Sequence, residues 1–195
     1  MTRAISFDYE RTLGKATRLF WKRGYAGTSL RALLKIMGIG EGSFYNTLKS
    51  KKRLYLACVK RYAETEGRKR MHALMSAPRA SEGIRAMFAV VLDCLDDPRT
   101  PSRLCMMAAM VSDEVLSDPE LRNFVEDGLD NFRARLAGRL SEDRTKGLLP
   151  AALDPQTIAS IIATYAHGIW RMALVDYDRP RFERQIDAFL TGLGL

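Results

Sequence analysis

The 195-residue sequence predicts an all-α protein: an N-terminal three-helix helix-turn-helix unit, then a larger C-terminal helical unit, about nine helices in total. Three observations carry this. Strand signals are scarce and apolar residues recur at helical spacing almost throughout. Glycines and prolines cut the chain into segments of helical length. Near the front, two short apolar-striped segments are separated only by Gly38-Ile39-Gly40, the outline of a helix-turn-helix.

In the first segment Leu13, Ala16, Leu19 and Phe20 share a face, with Arg11, Lys15, Arg18 and Lys22 elsewhere. Gly24 suits the left-handed position that ends a helix. Thr28 or Ser29 then caps a short helix carrying Leu30, Leu33, Leu34 and Met37, which stops at Gly38. A third helix runs from Glu41 to Leu48. Lys49-Ser50-Lys51-Lys52 leads into a longer fourth, with Leu54, Ala57, Cys58, Arg61 and Tyr62 on one side, ending near Met71 or His72.

Ala77-Pro78 and Asp97-Pro98 bracket a helix bearing Ile84, Met87, Phe88, Val91 and Leu95, and one further helix is expected from Leu104 to Leu116. Ser117-Asp118-Pro119-Glu120 is a helix start with proline and acid in the first turn. It opens a long segment striped by Leu121, Phe124, Val125, Leu129, Phe132, Leu136 and Leu140. Asp154-Pro155 begins a helix with Ile158, Ile161, Ile162, Tyr165, Ile169 and Ala173, in which Arg171 is the only charge between Ile158 and Val175. The last helix carries Phe182, Ile186, Phe189, Leu190 and Leu193. Helices apolar nearly all round are buried on more than one side, so this C-terminal pair is expected to face both its own core and a second subunit. The helix-turn-helix unit is assigned to residues 1–50 and the larger unit to 51–195.

Charge divides the chain at the same place. The net charge is +8, yet residues 1–70 hold 17 Lys/Arg against 5 Asp/Glu, and residues 71–195 hold 14 against 18. Fixed cations release condensed counterions from nucleic acid, so a basic front on a mildly acidic back points to a polyanionic partner for the front alone. The N-terminus lacks the apolar run of a secretory signal, and the longest unbroken apolar run, Leu104 to Val111, is too short to span a bilayer. Cys58, Cys94 and Cys105 are odd in number and form no C-x-x-C pattern, which argues against a disulfide framework or zinc site and fits a reducing cytoplasm. His72 and His167 belong to no metal-binding pattern, and neither a nucleophile elbow nor a phosphate-cradling loop is present. No catalytic residue, metal or cofactor is expected.

The stretch from Leu19 to Leu30, LFWKRGYAGTSL, followed by GIGEGSFYNTLKSK from Gly38 to Lys51, resembles the DNA-binding domain of the TetR/AcrR regulators, with similarity from about Leu13 to Leu56. Leu104-Cys105 and Gly147-Leu148-Leu149-Pro150 more weakly resemble the sensor domain of one branch of that family. The residues make physical sense on their own terms. Ser43, Tyr45, Asn46 and Thr47 crowd donors and acceptors onto a two-turn helix whose N-terminal end suits a major groove, while Phe44 and Leu48 lie on the opposite face. The resemblance implies that Tyr45 and Lys51 hold phosphates, that Ser43 and Asn46 lie nearest base edges, and that Thr28 offers its hydroxyl or backbone N–H to a phosphate. Lys52 adds a further charge beside the backbone. Departures are Gly40 in place of a hydroxyl cap, Glu41 where a cation is usual, and Leu48 where an aromatic is common. They bear on the operator sequence rather than on the fold.

For the larger unit the resemblance implies a pocket for a small hydrophobic or aromatic effector. Candidate lining residues are Phe88, Cys105, Met106 and Met110, then Phe132, Tyr165, His167 and Trp170, because thioethers and aromatics accept flat apolar ligands. His167 either hydrogen-bonds a ligand or satisfies a core neighbour. Gly168 suits close helix–helix contact, and Cys105 is either an inert core residue or a reactive thiol. The expected protein is a ligand-responsive homodimeric regulator, a repressor of palindromic double-stranded operator DNA. The alternatives are a redox- or electrophile-sensing repressor acting through Cys105, and an all-α enzyme whose basic front docks on an acidic partner.

Overall fold

The computed structural model describes residues 9–195; the first eight, which begin the 1–50 unit and the stretch read for a targeting signal, lie outside the described residues. The helices are α1 (Tyr9–Arg23), α2 (Leu30–Met37), α3 (Glu41–Leu48), α4 (Lys51–Tyr62), α5 (Arg68–Ser76), α6 (Ala80–Asp96), α7 (Met106–Ala109), α8 (Asp113–Leu116), α9 (Pro119–Thr145), α10 (Pro155–Met172) and α11 (Arg179–Gly192). A single π-turn, Ala63–Gly67, joins α4 to α5, so residues 51–76 form one unbroken rod. The described residues contain no strand, as the spacing predicts.

Local chemistry accounts for the boundaries. The Ser29 hydroxyl accepts the Ala32 N–H to start α2, and Gly38, at φ 71°, closes that helix by donating its N–H to the Leu34 carbonyl. Ser50 caps α4 through the Arg53 N–H. Asp118, Asp154 and Asp178 cap α9, α10 and α11, each with proline in the first turn. Two expectations are corrected. The fourth helix does not end near His72 but continues through the π-turn to Ser76. The single helix expected over Leu104 to Leu116 is instead two one-turn pieces, α7 and α8. Arg171, reaching across from α10, donates to the carbonyls of Ala108 (3.0 Å) and Val111 (2.6 Å), acceptors that a continuing helix would have used itself.

In the front unit Leu13, Ala16 and Phe20 of α1 meet Leu33 and Met37 of α2, Phe44 and Leu48 of α3, and Leu54, Tyr55 and Cys58 of α4 in one buried cluster. Phe20 lies edge-on to Tyr55 at 5.0 Å. In the back unit α5 and α6 form a tight hairpin. A Cβ at Gly83 would stand 2.2 Å from the Leu74 carbonyl oxygen, so only glycine lets the two backbones approach this closely. The α9 and α10 helices pack together, and α11 closes against α6.

Side chains of α1 and of the head of α4 reach beyond the helix-turn-helix core. Trp21 donates its indole N–H to the Leu104 carbonyl at 2.9 Å and meets the Tyr62 ring edge-on at 4.8 Å. Arg18 reaches the Arg99 carbonyl at 3.2 Å. Lys52, at the head of α4, pairs with Asp118 (3.0 Å) and Glu120 (2.9 Å) at the start of α9.

Candidate functional site

Phe44 and Leu48 are buried and set the rotation of α3. Ser43, Tyr45, Asn46 and Thr47 are therefore all exposed, and Tyr45 is 50% accessible with its ring edge-on to Phe44 at 5.4 Å. Gly40 caps α3 without a side-chain bond, while Glu41 is exposed in its first turn, where an acid suits the helix dipole. Lys49 sits at φ 63°, an uncommon conformation for a non-glycine residue, and turns the chain so that Ser50 can cap α4 at once. Arg31, Lys35, Lys49 and Arg53 are also exposed on this unit.

Three basic or polar positions look different in three dimensions. Thr28 is fully buried and donates its hydroxyl to the Gly24 carbonyl at 2.7 Å, so it closes the α1–α2 turn and the hydroxyl is not offered outward; exposed Ser29 is the cap. Lys51 folds its ammonium over the Tyr25 ring, 4.3 Å from the centroid. Lys52 is committed to Asp118 and Glu120 and is not a free phosphate ligand.

A cavity of about 700 Å³ lies in the back unit, within the range of small-molecule sites. Its wall runs along the α4–α5 rod from Lys60 to Met71, then across α6, α7, α9 and α10. Of the expected lining residues, Cys105, Phe132, His167 and Trp170 are there. Phe88, Met106, Met110 and Tyr165 are not among the lining residues and are corrected to packing roles. Phe88 and Tyr165 meet edge-on at 5.9 Å, Tyr165 stacks on Phe189 at 3.8 Å, and Met106 and Met110 are buried in the core. On α10, Ala166, His167 and Trp170 line the cavity, while the Tyr165 ring turns toward α6 and α11. On α7 it is Met107 rather than Met106 that meets the wall. Sequence reasoning missed Arg70, Met71, Phe124 and Arg135; helical spacing gave a signal for Phe124, but nothing marked Arg70 as inward-facing.

Arg70 lies 5.6 Å from the Tyr62 ring centroid and 5.7 Å from that of Trp170, and reaches the Tyr62 hydroxyl at 3.4 Å and the Cys105 sulfur at 3.9 Å. Burial pushes the Tyr62 phenol well above its ordinary range. It also pushes the Cys58 thiol up to about 12 and raises that of Cys94.

Burial also holds the His167 imidazole below its ordinary value, with the charges of Arg171 and Arg133 acting in the same direction. The unfolded chain therefore binds this proton first as pH falls through about 6.5. Stability from this site is full above that pH and declines until the lower folded value is passed. Melting temperatures at pH 7.5 and 5.5 are expected to differ less in His167→Gln than in the wild type; an unchanged difference would assign the acid sensitivity elsewhere.

Among the described residues no group of three His, Cys, Asp or Glu side chains is placed to hold a metal, and no helix is long and apolar enough to cross a membrane. Comparison with known proteins finds likeness along the whole chain. It is 29% identical over 202 residues to an uncharacterized HTH-type transcriptional regulator of Bacillus subtilis, YezE, covering 99% of this chain and all of that one. It is 24% identical to the HTH-type transcriptional repressor ComR of Escherichia coli, over 84% of this chain and 78% of that one. Among solved structures, a cysteine-substituted form of the TetR family transcriptional regulator CifR, complexed with a 26-bp double-strand operator DNA, superposes with a TM-score of 0.87 at 27% identity, covering 97% of this chain and 98% of that one. The reduced form of Escherichia coli NemR shares the fold, with a TM-score of 0.76 at 23% identity over 94% of this chain and 93% of that one. Residues 13–58 match the bacterial regulatory proteins of the tetR family, and residues 80–189, more than half of the chain, match the tetracyclin repressor-like C-terminal domain. The chain belongs to the TetR family and is a DNA-binding transcriptional regulator.

Proposed function

We propose that this regulator is a cytoplasmic homodimeric repressor that binds palindromic operator DNA through α3 and is released by a small hydrophobic or aromatic effector. One observation carries the reading: the rod 51–76 starts beside the exposed polar face of α3 and forms a wall of the cavity from Lys60 to Met71. A ligand that prefers one setting of the rod biases the position of α3, and the two recognition helices of a dimer then lose the one-turn spacing a palindrome requires. The DNA-binding unit is 1–50 and the sensing and dimerising unit 51–195, with α4 contributing core to both. Ser43 and Asn46 read base edges, Thr47 lies beside them, and Tyr45 and Lys51 hold phosphates once Lys51 swings off Tyr25. Thr28 contributes at most its backbone N–H. CifR on operator DNA and the repressor ComR support both the partner and the sign.

The test is a gel-shift titration of the purified protein on DNA from its own promoter region at rising salt, then a screen for compounds that release it. Specific binding with a steep salt dependence is expected. An absence of binding at low salt would sink the reading and revive an acidic protein partner for the basic front.

The dimer rests on α10. Thr157, Ile161, Thr164, Gly168 and Met172 form an exposed stripe at helical spacing, and a Cβ at Gly168 would meet nothing within 4 Å inside the chain. Within one protomer glycine is therefore not required there, and a closely approaching second copy accounts for it. Gly168→Arg is expected to shift the protein toward monomer in analytical ultracentrifugation without loss of helicity; an unaffected dimer would move the interface off this stripe.

A second reading, thiol sensing through Cys105, is favoured by its place on the cavity wall with the Arg70 guanidinium 3.9 Å from its sulfur. Mild oxidant is then expected to release operator from the wild type and not from Cys105→Ser. Equal release from both removes the idea.

A further inference from the structure

Among the described residues Arg70 is a cation without an anion. It lines the cavity at the start of α5, just beyond the π-turn, half-buried between two aromatic rings. Its hydrogen-bond partners among the described residues are a phenol at 3.4 Å and a thiol at 3.9 Å, both long contacts. No carboxylate pairs with it among the described residues, although most other arginines that reach inward find one, such as Arg139 on Asp143. The phenol is no substitute, because burial keeps Tyr62 protonated. A guanidinium taken partly out of water and left uncompensated is unfavourable, and its planar fork matches an oxyanion in two-point contact.

The surroundings fit the same ligand. At the rim, exposed Lys60, Arg68 and Arg135 outnumber exposed Glu64 and Asp127. Deeper in, Met71, Met87, Val91, Phe132 and Trp170 give an apolar lining. We propose that the effector is an amphipathic organic anion, a carboxylate or sulfonate on an aromatic or aliphatic body, with its oxyanion on Arg70. This rests on the cavity being the effector site and adds the charge of what enters it. It also places the effector on the rod itself: an oxyanion draws on Arg70 at α5, and α5 is continuous with the helix that begins beside the DNA-binding face.

The test uses two fluorescent probes that share one ring system, 8-anilinonaphthalene-1-sulfonate and neutral N-phenyl-1-naphthylamine. The wild type is expected to bind the sulfonate about tenfold tighter or more, and Arg70→Gln to bring the two affinities within about threefold while keeping the neutral probe bound. Arg122→Gln, which removes an exposed cation of α9 outside the cavity, is expected to keep the preference. A second measurement uses the wild type alone and so does not depend on how the variant folds: octanoate displaces the bound neutral probe at concentrations about tenfold below those needed for 1-octanol. Binding of both probes with no sulfonate preference, a preference that survives Arg70→Gln, or octanol displacing as well as octanoate overturns the anion while leaving the cavity as an effector site. Failure of both probes to bind overturns the cavity reading and the anion with it.

Discussion

Replacing Tyr45 and Asn46 together with alanine is expected to weaken operator binding by two to three orders of magnitude while moving the melting temperature by only a few degrees. Each dimer loses the contacts twice. A charge-assisted phosphate hydrogen bond and a bidentate base contact are each worth about 1–3 kcal/mol, so doubling the loss reaches about 4 kcal/mol or more. On the folding side the same side chains do little. Tyr45 is half exposed, and its one aromatic contact, edge-on to Phe44, is worth about 1 kcal/mol. The better helix propensity of alanine offsets about half of that. For a chain of this size 1 kcal/mol corresponds to about 2–4 °C. Gel shifts and thermal melts on the same preparation separate the two effects. A fall of about 10 °C or more would make Tyr45 a core residue and leave the recognition face without its phosphate anchor. Lys51→Ala, measured alongside, is expected to lower the salt-dependence exponent by about 2 per dimer, one phosphate from each half-site.

That face was legible in the sequence because everything defining it is local. Phe44 and Leu48 are one helical turn apart, Gly38 must take a left-handed turn, and a hydroxyl at Thr28 or Ser29 sits where a cap belongs, the role Ser29 fills. Proline and aspartate marked the starts of α9 and α10 for the same reason. What was not legible depends on partners far along the chain. The break between α7 and α8 is stabilised by Arg171, 60 residues from the Val111 carbonyl it binds. Lys52 reads as a phosphate ligand until Asp118, 66 residues away, takes its ammonium. Arg70 stands in a run of cations, Arg68-Lys69-Arg70, and nothing in that run distinguishes the residue that turns inward. The cavity lining failed in a related way. Residue type alone puts Tyr165 and His167 on one wall, but two residues apart on α10 they lie on nearly opposite faces, and only His167 meets the cavity.

The largest stability effect is expected at a pair that no motif announced. Arg139 and Asp143 of α9 are both buried, 2.7 Å apart. The second guanidinium nitrogen of Arg139 donates to the Ala77 and Pro78 carbonyls at 2.9 and 2.8 Å, and Asp143 accepts the Ala80 N–H at 2.6 Å. Together they satisfy the backbone of the α5–α6 turn and clamp it to α9. Asp143→Ala leaves a buried guanidinium with no carboxylate but its longer contact to exposed Glu142 (3.4 Å) and a buried N–H without an acceptor, a loss of about 3–5 kcal/mol, or on the order of 10 °C in melting temperature. Arg139→Met with Asp143→Leu is expected to recover part of this, because apolar replacement removes the uncompensated charge, yet not all, because the two carbonyls still lack donors. If Asp143→Ala melts within about 2 °C of the wild type, the turn is not held by this pair. The clamp also bears on regulation. It fixes the end of the rod that begins at Lys51, while Lys52 fixes the other end to α9 through Asp118 and Glu120. A rod held to the same helix at both ends can respond to a ligand between them chiefly by rotating or bowing, and the π-turn at Ala63–Gly67 lies in that middle stretch, on the cavity wall.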